Sequence, residues 1–530
     1  MKTLLRNLAL ASAVFIAAAC SKDFLTEVPQ DFVAPETFYH NADDAVAAVN
    51  AVYASFINLQ SPLSRDQYLG RNYWMIAEYA TEVATSRLSA TNERSLVDNY
   101  HTQFTSAHPY IQGIYEAAYA GINRANSAIT RVPAVPMSET RKAQLVAEAK
   151  FLRAQHYYYL VGLFGGVPLK VEETATIDAA GLPRATAAEV YAQIFKDATD
   201  AAAVLPAAWS AADYGRATKG AALTLLGKAA LQSAATAGAA SDYQRGLDAF
   251  KTVMTLGYAL DPNYASLFDG SNEKSKEIIF SFQNVRVDNA GGTMTQWFTP
   301  VVSPAVYLSQ QNQFQAERAF YDSYNAADIR KAGTWLTTFV NAGKTITWAW
   351  TSGIQATTQY GSTGPTPRKY LDWGASSSGG EAPDVIITRY ADVLLSAAEA
   401  VNEISGPTAE AYGYVNSVRT RAGVPALTAG LAKATFRDSV FLERRYELAL
   451  EMHGLFDNRR NWAWSKARLE TSMQSISTKN ASPFTSSTTK FNAAPIPDKW
   501  KLYPIPQRAC ELNKTLKQNA GWEDGVCAAP

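Results

Sequence analysis

The stretch Ser138–Leu169, SETRKAQLVAEAKFLRAQHYYYLVGLFGGVPL, constrains the fold more than any other part of the chain. Leu145, Ala149, Leu152, His156, Tyr159 and Leu163 recur at steps of four and three, which aligns them along one stripe of a helix that has to be buried. Ser138 is placed to cap its start, Gly165 and Gly166 end it, and Pro168 blocks continuation. Phe151, Ala154 and Tyr158 form a second stripe beside the first. A helix apolar over so wide an arc touches neighbours on two sides, so it reads as the central member of a helical stack. Arg153 and His156 interrupt that face and are expected to be a stem-packed arginine and a hydrogen-bonded core histidine.

Further helices are expected over Asn41–Leu59, Tyr73–Ser86, Tyr110–Arg131, Thr186–Leu205, Thr218–Ala235 and Asp242–Leu256, then over Val385–Ile404, Thr408–Ala422 and Phe436–Met452. Pairs of helices of this length, with small residues at their contacts, suggest tetratricopeptide-type units in a degenerate array, since the period is irregular. Between Asp261 and Pro383 the helical periodicity fades and short alternating segments appear, such as Ile278–Phe282 and Thr345–Thr351. After Trp462 the tail reads as mostly coil, with prolines at Pro495, Pro497, Pro504 and Pro506.

The first residues form a targeting signal. Lys2 and Arg6 precede the apolar run Leu8–Ala19, which is too short to span a bilayer, and three alanines lead into Cys20. This resembles a bacterial lipoprotein signal in which Cys20 carries the lipid. The expected layout is a signal at 1–19, a tether at 20–35, a helical part at 36–260, an irregular aromatic-rich part at 261–383, a second helical part at 384–460 and a coil region at 461–530. If Cys20 is lipidated, Cys510 and Cys527 remain as an even pair in an exported protein and are expected to be bonded.

Charge excludes some partners. Lys plus Arg and Asp plus Glu both number 48, so no basic face for nucleic acid is expected. The five histidines are scattered without metal-ligand spacing, so no metal or cofactor is expected. GxSxG, GxGxxG and phosphate-loop motifs are also missing. Glu443, Glu447 and Glu451 share a helix face and would repel one another unless cations answer them. Arg419, Arg421, Arg444, Arg445, Arg459 and Arg460 are the candidates. Guanidiniums so near depress carboxylate pKa values, which suits a structural ion-pair layer better than a general acid.

Aromatic residues are concentrated in the middle. Five of the 11 tryptophans, Trp297, Trp335, Trp348, Trp350 and Trp373, lie between residues 297 and 373. In ITWAW, Trp348 and Trp350 point to one side if the segment is a strand. An indole face matches the C–H face of a pyranose, and Gln310, Gln311, Asn312, Gln313 and Gln355 are suited to its hydroxyls.

The chain also carries AEAKFLRAQHYYYLVGLFGGVPL, PRATAAEVYAQIFKDATDAAAVLP, GRATKGAALTLLGKAAL, TRYADVLLSAAEAVNE, NSVRTRAGVP, ERRYELALEMHG, LYPIP and QNAGW, in that order. In these motifs it resembles the SusD/RagB family of surface lipoproteins over nearly the whole mature chain. Met452 stands where the family usually has glycine. The resemblance implies a mainly α, SusD-like fold with a tetratricopeptide-like scaffold and a loop-rich ligand region. It implies a non-enzymatic, surface-exposed protein of the outer membrane that captures an oligosaccharide and delivers it to a SusC-like TonB-dependent transporter. Binding loops carried over from the family fall on Arg87–Asn99, with Arg87 and Asn92, and on Trp297, Trp335, Trp348 and Trp350. Three other readings stay open: a RagB-like peptide-capturing protein of the same fold, a glycoside hydrolase using Asp372, Glu381 or Asp384, and a scaffold that binds proteins.

Overall fold

The computed structural model describes residues 38–57, 68–86, 96–97, 100, 103–174, 181–287, 291–298, 314–341, 344–347, 364–375, 380–479, 495–523 and 525–528. The protein is mainly helical. Its first part is a run of helices: α1 (Ala42–Ile57), α2 (Asn72–Glu78), α3 (Pro109–Arg131), α4 (Glu139–Phe164), α5 (Ala187–Val204), α6 (Lys219–Thr236) and α7 (Asp242–Met254). The starts are set locally, as the sequence leads one to expect. Ser138 Oγ accepts the Arg141 amide at the start of α4, Thr186 and Glu189 form a reciprocal capping box on α5, and Thr218 caps α6. Gly165, at φ 72°, ends α4.

From α3 to α7 each helix packs on the next, and α4 also touches α1 and α6. It is buried continuously from Phe151 to Phe164. The two polar residues on its face are both satisfied. Arg153 pairs through both arms with Asp197, at 2.8 Å each, and His156 stacks on Phe56 with centroids 3.7 Å apart while meeting Ser55 Oγ at 3.0 Å.

A second helical part follows the middle: α8 (Tyr390–Ser405), α9 (Ala409–Arg421), α10 (Lys433–Glu447), α11 (Gly454–Arg460) and α12 (Trp462–Lys479). Contacts of α8 with α7 join the two parts. The strands are short: β1 (Ala84–Ser86), β2 (Ile278–Phe282), β3 (Phe314–Ala316), β4 (Trp335–Leu336), β5 (Thr338–Asn341), β6 (Lys344–Thr347), β7 (Thr366–Pro367) and β8 (Val385–Arg389). They pair antiparallel as β1·β3, β2·β8, β4·β7 and β5·β6.

Four expected elements are corrected. The helix expected over Tyr73–Ser86 stops at Glu78, and Ala84–Ser86 is strand β1, held by β3. The helix expected from Val385 begins at Tyr390. Its first five residues, VIITR, are rich in β-branched side chains and pair with β2 as strand β8. The tail expected to be mostly coil contains α12, and the helix expected over Phe436–Met452 stops at Glu447, where a turn with Leu450 and Met452 at positive φ takes over.

The three glutamates sit in a buried ion-pair layer, Glu443 and Glu447 on α10 and Glu451 in the turn after it. Arg330 reaches Glu443 at 2.6 Å and Glu447 at 3.0 Å, Arg389 reaches Glu277 and Glu451 at 2.7 Å, and Lys369 meets Glu451 at 2.6 Å. Arg421 contacts Glu447, and Arg419 contacts Glu443. Burial alone would raise the Glu447 carboxyl, but Arg421, Arg389 and Arg330 hold it far below the usual range. Arg444, Arg445 and Arg460 serve other acids, Asp392, Asp457, Glu82 and Glu399. Arg459 instead lies over the Tyr503 ring and donates to the Leu163 carbonyl.

Candidate ligand site

Strands β1 and β3 fix where the expected binding segments begin. Ser86 pairs with Phe314, so residue 87 follows and residue 313 precedes one and the same rung of the ladder. Trp297 lies in the short helical turn Met294–Phe298. Glu381 holds the start of that turn, accepting the Thr295 amide at 2.6 Å and the Gln296 amide at 3.0 Å. Thr293 Oγ1 ties the approach to the Gly70 carbonyl at 3.1 Å. Gly291 is needed here because a Cβ would come within 2.5 Å of the Glu381 backbone. Phe298 anchors the far end against Trp74, Phe314 and Tyr370.

With the turn so fixed, the guanidinium of half-buried Arg71 lies 4.8 Å from the Trp297 ring and 5.5 Å from the Tyr110 ring. It also donates to Asn72 Oδ1 at 3.1 Å. Neither Arg71 nor Tyr110 was among the residues expected from the sequence. A single arginine in YLGRNYW carries no pattern, and only the fold brings it to Trp297.

The expected tryptophan shelf is corrected where it can be seen. Trp335 is 1% exposed and Trp297 5% exposed, so both rings are largely turned inward. Trp335 starts β4 directly after the turn Ile329–Thr334 and pairs with Pro367, which commits it to the core. Trp373, by contrast, is 42% exposed. Arg87, Asn92, Trp348, Trp350 and Cys20 lie outside the described residues, as do the signal, the tether and the glutamine-rich stretch 310–313. Strand β6 covers the first residues of the expected Thr345–Thr351 segment. Cys510 and Cys527 are disulfide-bonded, with Cα atoms 5.0 Å apart.

The carboxylates weighed for hydrolysis all have other partners. Asp372 binds Arg286 at 2.6 Å, and Asp384 accepts from Ser281, Gln283 and the Asn284 amide. Burial pushes Glu381 up to about 8 and Asp384 up to about 7, with backbone amides pulling against it in both. Among the described residues no cluster of three or more His, Cys, Asp or Glu side chains can hold a metal. Nor is any described helix long and apolar enough to cross a membrane.

Comparison with known proteins matches this architecture. Residues 256–522 match the SusD family model, and residues 44–231 match a second model described as starch-binding, associating with outer membrane. The chain is 27% identical over 459 residues to SusD-like protein P2 of Formosa agariphila, covering 82% of this chain and 87% of that one. A SusD homolog from Bacteroides thetaiotaomicron superposes with a TM-score of 0.78 at 23% identity, over 92% of this chain and 98% of that chain. Surface glycan-binding protein A of the same organism, solved in complex with laminarihexaose, superposes at 0.70 with 21% identity, over 90% and 99%. By the SusD model's match to half its length, and by a fold shared with these solved structures, this chain belongs to the SusD family.

Proposed function

We propose that this protein is a surface lipoprotein that captures an oligosaccharide without cleaving it and hands it to a SusC-like TonB-dependent transporter of the outer membrane. Cys20 is the lipid attachment point in this reading. Arg87 and Asn92 supply hydrogen bonds, and Trp348 and Trp350 supply stacking faces. Trp297 offers an edge under Arg71. The observation that carries the reading is the Ser86–Phe314 rung beside the Arg71–Trp297–Tyr110 cluster. Two segments rich in the right side chains start there from one rigid base. Support also comes from relatives of the same fold, one a laminarin-binding SusD-like protein and one solved with laminarihexaose. Engagement of Asp372, Glu381 and Asp384 in buried hydrogen bonds and an ion pair fits capture better than hydrolysis.

Affinity electrophoresis against a polysaccharide panel tests this. The wild type is expected to be retarded by at least one glycan, and Trp348→Ala with Trp350→Ala to migrate freely in it, with no reducing ends released. Wild-type migration unaffected by every glycan, with retention on a peptide column instead, would replace the sugar by a peptide. Steady release of reducing ends would make the protein a hydrolase.

A further inference from the structure

A groove beside strand β2 has the chemistry of a second ligand site. It has a volume of about 260 Å³ and lies between the α5–α6 connection, the turn after α7, and β2 with the residues leading into it. Trp209, Tyr214 and Tyr258 line it. Each ring is held by its polar tip. Trp209 Nε1 donates to the Ala217 carbonyl at 2.8 Å, Tyr214 OH donates to the Glu273 carbonyl at 2.5 Å, and Tyr258 OH lies 3.3 Å from Thr218 Oγ1. With the indole N–H and the Tyr214 O–H already donated, the rings present chiefly their faces and edges. Gly220 makes room for Tyr258, since a Cβ there would fall 2.3 Å from the tyrosine oxygen. Tyr214 is nevertheless 41% exposed, an apolar surface left uncovered.

The charge of the lining is one-sided. Arg216, Lys274 and Lys276 line the groove, and no Asp or Glu does, although the chain as a whole has as many acids as bases. Arg216 is already neutralised by Glu148 and Asp213, at 2.8 and 2.9 Å. Lys274 and Lys276 are exposed and enter no ion pair among the described residues. Lys274 sits 5.1 Å from the Tyr214 ring centroid, so cation and ring face form one unit. An aromatic wall beside two available ammonium groups suits a flat-faced ring that carries negative charge.

We infer that this groove is a second saccharide subsite, selective for a sugar residue bearing an anionic group. It takes from the capture reading above only that the ligand is a saccharide. A uronate carboxylate and a sulfate ester present the same chemistry to Lys274 and Lys276, and the test separates them. Native gels containing polygalacturonate, carrageenan or neutral laminarin are run with wild type, Tyr214→Ala, the pair Lys274→Ala and Lys276→Ala, and the pair Trp348→Ala and Trp350→Ala. Retardation of the wild type is expected in one anionic gel, which names the anionic group. Both groove variants should weaken it about fivefold, the order expected for one lost ring or cation contact, and leave any laminarin retardation unchanged. Free migration of the wild type in both anionic gels would overturn the subsite. So would an unchanged Tyr214→Ala, because the lysines would then act as plain surface charge. A loss confined to the Trp348 and Trp350 pair bears on the capture site alone, so the two readings fail separately.

Discussion

His453 is buried against Lys228, whose ammonium lies 3.1 Å from its Nδ1, with Asp392 3.9 Å away. Burial first, and Lys228 next, lower its pKa from 6.5 to about 3. A histidine held neutral in the fold contributes stability above its unfolded pKa, and that contribution is lost as pH falls from about 6.5 toward 3. Within that window one proton taken up on unfolding corresponds to about 1.4 kcal/mol per pH unit. Comparing urea unfolding of the wild type and His453→Gln from pH 8 to pH 4.5 should give a difference that is flat above about pH 7. Below it, the variant should lose stability less steeply. A difference that is flat throughout would mean that the ring titrates freely in the fold. At this same scale the acidic half of the ion-pair layer was legible, since Glu443, Glu447 and Glu451 repeat every four residues. Three of its five cations were not. Arg330, Lys369 and Arg389 come from 58 to 117 positions away in the chain from the glutamates they meet, and no local pattern encodes such a pairing. Met452 adds a smaller point: it holds φ 64°, a conformation that glycine adopts without strain and that no local pattern announced.

At the scale of elements, α4 is defined by what may approach it. An added Cβ at Gly162 would lie 1.9 Å from Phe456 Cε1, and the Phe456 ring is itself pinned flat against Tyr158 at 4.6 Å. Alanine gains about 1 kcal/mol of helix propensity over glycine, but forcing α11 away should cost more, about 1–3 kcal/mol. Gly162→Ala is therefore expected to lower the denaturation midpoint, and Phe456→Leu in the same chain to restore part of the loss. If Gly162→Ala alone is stabilising, the two helices are not in close contact. Helix ends were readable because a cap is a local event: Ser138, Thr186 and Thr218 each act within three residues. Strands β1 and β8 are not legible locally because three to five residues of strand acquire their identity from a partner. Those partners, β3 and β2, lie far away in the sequence.

At the scale of the whole molecule, the disulfide closes the end of the chain over the helical stack. Its loop spans 17 residues, and within it the Asn519 amide donates to the carbonyls of Phe164 and Tyr503. Reduction should therefore destabilise the protein by about 3 kcal/mol, read as a lower thermal midpoint with dithiothreitol than without. An unchanged midpoint would show that the hydrogen bonds alone hold the tail.

The sequence by itself determined that this chain is a stack of amphipathic helices, where the capped ones among them begin, and which motifs it shares with its family, because periodicity and capping are properties of neighbouring residues. Only the tertiary structure decided which tryptophans face inward, which cations answer the buried glutamates, and that Arg71 lies across Trp297. Those outcomes depend on contacts between segments well separated in the sequence, whose free energy exists only once the chain has closed on itself.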